Sequence, residues 1–119
     1  MIAQLHSALA YLSLGLALVL AVDSGWRAWR AKAGTAPGAR LDPILLIATG
    51  VAAAGGLGIY VGGGRPHETL HFVYGVLALG AIPVANSLGR GRSARQVAIA
   101  RFIGAVVAVV VIWRLFQTG

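Results

Sequence analysis

Four apolar stretches, Ile2 to Val22, Ile44 to Val61, His67 to Leu88 and Val97 to Phe116, nearly exhaust a chain of 119 residues. Each approaches the roughly 20 residues that an α-helix needs to cross the hydrocarbon of a bilayer. With 58% hydrophobic and 11% charged residues, a chain this short cannot hide so much apolar surface in a water-soluble core. The expectation is an all-α integral membrane protein, a single domain over residues 1–119 built as a four-transmembrane-helix up-down bundle in the lipid bilayer.

No charged segment precedes Ile2 and no small-residue cleavage site interrupts the first stretch, which therefore reads as a retained span rather than a signal peptide. Cysteine is absent, so disulfides, thiolate ligands and covalent haem attachment are excluded, and any cofactor is held noncovalently. A pI near 11.5 in a soluble protein would suggest nucleic acid, but here no soluble domain remains to present the charge. The ten basic residues instead follow the membrane rule. Arg27, Arg30, Lys32 and Arg40 fall in the first connection, Arg90, Arg92, Arg95 and Arg101 in or beside the third, and only Arg65 and Arg114 on the opposite side. This bias predicts cytoplasmic first and third connections, with both termini and the second connection outside. Heavy use of Ala, Gly and Arg with a single Lys suggests a GC-rich prokaryote, and hence its inner (plasma) membrane.

The first connection, Asp23 to Asp42, contains Gly25, Gly34, Pro37 and Gly38 and is too polar for lipid. Trp26, Trp29 and Trp113 stand where interfacial anchors are expected. Asp42-Pro43 resembles a helix start, with Asp as N-cap and Pro at the first helical position, and Arg65-Pro66 ahead of His67 and Glu68 resembles another. Pro83 predicts a local kink in the third helix, and Asn86 and Ser87 are suited to pair across helices or to satisfy freed backbone groups. In the glycine-rich second helix, Ala54, Gly58 and Gly62 form a small-residue stripe that permits either close helix packing or the approach of a flat ligand to bare backbone.

The first and third stretches match each other at an offset of 65: Leu5, His6, Leu12, Leu14, Gly15 and Val19 recur as Leu70, His71, Leu77, Leu79, Gly80 and Val84. Duplication would make two tandem hairpins, residues 1–64 and 65–119, related by an axis along the membrane normal, with His6 and His71 facing each other at one depth. Positions i+4 and i+7 from each histidine are small: Ala10 and Ser13 below His6, Gly75 and Ala78 below His71. Two such strips leave a slot, and an empty slot forfeits packing energy, so a planar macrocycle is the expected filler. Neutral imidazoles from opposing helices are the usual axial ligands of a haem b in a membrane bundle. His6 and His71 are thus the expected metal ligands, and Arg65 is the expected propionate partner or else an interfacial anchor. His67 lies one turn above His71 and is open to several roles: ligand in its place, propionate donor, quinone proton exchanger or solvated helix-start residue.

Four short helices with histidines near one face, and Leu-His pairs at residues 5–6 and 70–71 each followed by Leu-x-Leu-Gly, resemble cytochrome b561-type proteins, copper-resistance-D-like proteins and half of a haem A synthase. The resemblance implies a haem b protein that transfers electrons, with quinol as a partner. Those families often carry more histidines, for two haems, whereas three histidines here supply both axial ligands to one haem only. Other readings are an accessory subunit of a larger respiratory or photosynthetic complex, a homo-oligomer, a small transporter, or a non-haem metal site made by His6, His67 and His71. The transporter reading lacks an acid inside the first span, since Asp23 stands at its end.

Overall fold

A computed structural model describes residues 1–30 and 38–119, with the side chains of residues 38–41 outside the description. Lys32, Gly34 and Pro37, and the side chain of Arg40, fall outside the described residues. Four helices follow one another: α1 Ile2–Arg30, α2 Gly38–Val61, α3 Leu70–Gly89 and α4 Ala94–Thr118. All four are long and apolar enough to cross a membrane, so the protein is a multi-pass, all-helical membrane bundle, 48 Å along its longest axis. That length exceeds the roughly 30 Å of bilayer hydrocarbon, so the helix ends reach the headgroups.

Helix boundaries differ from the sequence reading in three places. α1 continues eight residues past Val22, because the polar residues there satisfy one another on the helix surface: Arg27 Nε donates to Asp23 Oδ2 at 2.9 Å, one turn apart. Arg30 also lies over the Trp26 ring. α2 begins at Gly38, which places Pro43 inside the helix rather than at its first position. Asp42 is accordingly not an N-cap; its carboxylate is drawn away by Arg101 of α4 and Asn86 of α3. α3 begins at Leu70, not His67; the residues ahead of it form a turn, with the His71 N–H on the Glu68 carbonyl at 3.1 Å, and the Glu68 N–H reaches the Thr118 carbonyl at the end of α4, 3.2 Å away.

The core is built largely from alanine. Ala17 and Leu20 of α1, Ala78 and Ile82 of α3, and Ala105, Ala108 and Ile112 of α4 are nearly inaccessible. Small side chains let helices approach closely where lipid supplies no hydrophobic drive toward association. At the α3–α4 crossing, a Cβ on Gly104 would collide with the Ala85 side chain and lie 3.2 Å from the Ala81 carbonyl. Large residues such as Ile47, Val76 and Val110 face outward, as a bilayer requires.

α1 packs along α2 and α4, and α3 along α4, but α2 and α3 touch only sparingly. A strict twofold relating the hairpins would make the α1–α4 and α2–α3 seams alike, so the packing departs from that symmetry. The α2–α3 seam is pinned at the basic end, where Asn86 Nδ2 donates to Asp42 Oδ2 at 2.9 Å while Arg101 Nη2 lies 2.7 Å from Asp42 Oδ1. At the opposite end the same seam is crossed by an edge-on pair of rings, Tyr60 and Phe72, with centroids 5.1 Å apart.

Candidate functional site

α2 ends in a Schellman cap that turns the chain toward the site. The Gly64 N–H reaches the Ile59 carbonyl at 2.9 Å and the Gly63 N–H the Tyr60 carbonyl at 3.1 Å, with Gly63 at a φ of 97° that favours glycine. Arg65 and Pro66 follow directly, among the residues lining a half-open cavity of about 450 Å3 between α1, α2, α3 and the end of α4. This volume lies in the range of small-molecule and cofactor sites, roughly 300–1,000 Å3.

His6 of α1 and His71 of α3 both line the cavity, with ring centroids 6.2 Å apart and planes inclined by 57°. Each ring is braced by the second helix of its own half. His6 Nδ1 is 2.7 Å from the Ala52 carbonyl on α2. A carbonyl only accepts, so Nδ1 carries the proton, and the lone pair of the neutral ring is on Nε2. His71 Nδ1 is 3.3 Å from Thr118 Oγ1 on α4. The Thr118 hydroxyl proton is already given to the Arg114 carbonyl at 3.1 Å, so its oxygen accepts from His71 Nδ1–H, and here too the lone pair falls on Nε2. The Leu115 carbonyl lies on the same edge, since a Cβ on Gly119 would be 3.0 Å from His71 Nδ1 and 3.1 Å from that oxygen.

Two imidazoles therefore present Nε2 lone pairs to which no group among the described residues donates, in a site lined by small residues of α1 and α2 together with larger apolar ones such as Leu57, Phe72 and Leu79. The approach beside the first ring is close, since a Cβ on Gly56 would come 3.0 Å from His6 Cε1 and the ring would have to give way. Ala10 of α1 and Gly75 of α3 line the cavity one turn below their histidines, as their spacing predicts. Ser13 and Ala78, a turn deeper on those faces, do not; they are buried where the helices close, Ser13 against Thr49 and Ala78 in the alanine core. Gly58 is also outside the lining and exposed, so the Ala54–Gly58 stripe faces away from the bundle and the small face turned to the cavity is Thr49, Ala52, Ala53 and Gly56. Arg65 reaches the rim, whereas His67 is exposed in the bend ahead of α3 and lines no part of the cavity. Among the described residues no three His, Asp or Glu side chains gather as a metal-holding group, so His67 does not complete a trio with His6 and His71.

Ala52, Gly56, Thr118 and Gly119 were not anticipated. Thr118 and Gly119 bear no local signal, since their role arises only when the end of α4 meets the start of α3. The 52/56 pair was readable as one more small i, i+4 pair, but α2 is small on every face. Compared with family models, with curated proteins and with solved structures, the chain gives no match.

Proposed function

We propose that the protein binds a single haem b near the end of the bundle that carries both termini, with His6 and His71 as axial ligands, and that it works as a membrane electron carrier, with quinol as the candidate reductant. The observation that carries this reading is the pair of imidazoles whose Nδ1 protons are spent on acceptors and whose Nε2 lone pairs are not. Metal-bound histidines characteristically donate the other ring N–H to a carbonyl or similar acceptor, which fixes tautomer and orientation. The spacing is compatible with this: two metal–nitrogen bonds of about 2 Å, with each centroid about 1.1 Å behind its nitrogen, would set two rings facing one metal about 6.2 Å apart, and the centroids here are 6.2 Å apart. Two nitrogen donors alone suit an equatorially saturated macrocycle better than a tetrahedral zinc site, which takes four protein ligands or three plus water.

Each residue then has a task. His6 and His71 hold the iron, Ala52 and Thr118 fix the rings, and Gly56, Ala10 and Gly75 leave room for a flat ring system. Arg65 supplies positive charge at the rim for the propionates. When bound, the haem supplies one-electron chemistry; the protein contributes orientation, an apolar surround and exclusion of water. On the positive-inside rule this site would face the outer side of the membrane, and the composition suggests a prokaryotic inner membrane.

The test is optical. Protein purified after expression with ample haem should give a Soret band and sharp reduced α and β bands, and His6→Ala or His71→Ala should each abolish the six-coordinate spectrum. A colourless preparation, or a spectrum indifferent to both substitutions, overturns the reading. His67→Ala should leave the spectrum unchanged.

A further inference from the structure

At the basic end of α1, Leu18, Val22, Trp26 and Trp29 descend one face at positions i, i+4, i+8 and i+11. With Val19, Ala21 and Phe102 of α4 they form an open apolar trough. Gly25 makes the trough possible, because a Cβ there would stand 3.1 Å from two carbons of the Phe102 ring. By length and hydropathy the upper part belongs to the candidate span, and the lower part carries two indoles in edge-on contact, 5.9 Å between centroids, as an aromatic belt would.

Among the described residues that border it, the charge at the lower end is positive by one. Asp23 borders the trough but is neutralised by Arg27 at 2.9 Å. The Arg30 guanidinium carbon lies 4.6 Å from the centroid of the Trp26 ring, and among the described residues no carboxylate pairs with it. Stacking orients a guanidinium without spending its N–H donors, and that fork matches a phosphate. We propose that this trough binds one anionic phospholipid, an acyl chain along Leu18, Val22 and Phe102, the glycerol region against Trp26 and Trp29, and the phosphate on Arg30. A zwitterionic lipid fits less well, since its ammonium would meet Arg27 and Arg30. This site is independent of the histidine cavity and of the haem reading.

The two indoles are built-in reporters. The full chain carrying Trp113→Phe, so that only Trp26 and Trp29 emit, is reconstituted in vesicles containing brominated-chain phosphatidylglycerol or brominated-chain phosphatidylcholine. Half-maximal quenching is expected at an about fivefold lower mole fraction of the anionic lipid, the ratio one cation near an anionic surface confers. Arg30→Gln should bring the two lipids level, Arg30→Lys should retain part of the preference, and Arg90→Gln, an equal change in net charge elsewhere, should leave it intact. Equal quenching by both lipids in the parent overturns the proposal. So does an equal loss in Arg30→Gln and Arg90→Gln, which would mean diffuse attraction to a chain of net charge +7. Competition by water-soluble glycerol phosphate would overturn it as well, assigning Arg30 to free phosphate rather than lipid.

Discussion

The two ends of the α2–α3 seam are built on opposite principles. At the basic end, Asp42, Asn86 and Arg101 come from three different helices and meet one another, so the carboxylate is engaged on both oxygens. At the other end, two imidazoles spend one nitrogen each on their own hairpin and leave the second unspent, beside a face of α2 made small by Ala52, Ala53 and Gly56. One end joins three helices through a carboxylate; the other joins α2 to α3 through the Tyr60–Phe72 edge contact and leaves room beside it for a site. Stability and chemistry are thereby segregated along the bundle, and substitutions at the two ends should fail in different ways.

The largest expected separation is between Gly56→Leu and Asp42→Ala. A leucine at position 56 would push into the His6 ring, which already lies 3.0 Å from where a Cβ would stand. On the haem reading it should abolish the pigment while helical content and unfolding midpoint in detergent stay near those of the parent. Asp42→Ala removes the carboxylate from Arg101, whose guanidinium is largely buried between helices. Removing one partner of a fully buried pair costs about 3–5 kcal/mol, and because both side chains here keep about 15% exposure the expected loss is about 2–3 kcal/mol. Chemical unfolding measures it, and the fraction still folded should keep its spectrum. If Asp42→Ala bleaches the folded protein, the two ends are coupled and the segregation is wrong.

Thr118→Val asks a finer question of the histidine end. It removes the hydroxyl acceptor for His71 Nδ1–H and leaves only the Leu115 carbonyl on that edge, while the shape is nearly kept. Loss of such a support weakens metal affinity about 10–100-fold. It also lowers the basicity of the ligand, so ferric iron is less stabilised and the midpoint potential should move positive in a redox titration. An unchanged affinity and potential would show that the 3.3 Å contact holds nothing in place.

How much of this was legible in the sequence depends on range. The four spans were, because hydropathy over 20 residues survives any packing arrangement. The convergence of His6 and His71 was too, since a repeat offset of 65 carries depth as well as identity. Helix ends were not, since Asp42 reads as a cap until Arg101, 59 positions later, is known to stand beside it. The face of α2 was not either, because glycine and alanine surround that helix and Gly58 is locally no different from Gly56. Partners at the chain's end, Thr118 above all, depend on a loop bond from Glu68 that no local pattern announces.

The smallest effect tests where the cavity stops. The i+7 spacing places Ser13 on the face of His6, but the hydroxyl lies one layer below the cavity floor, 98% buried and 3.3 Å from Thr49 Oγ1. Thr49 itself lines the floor and gives its single hydroxyl proton to the Leu45 carbonyl at 2.8 Å, so it holds its position without help from Ser13. Ser13→Ala should therefore cost only about 0.6 kcal/mol, the usual worth of an interhelical hydrogen bond in a membrane bundle, and should leave the spectrum and potential untouched. Thr49→Val, which keeps the volume but removes the hydroxyl, should act equally weakly on stability. A shift of the absorption bands in Ser13→Ala would mean that the bound group reaches past Thr49 into the alanine core, and the boundary between the site and the packed half of the bundle would have to be drawn a full turn deeper.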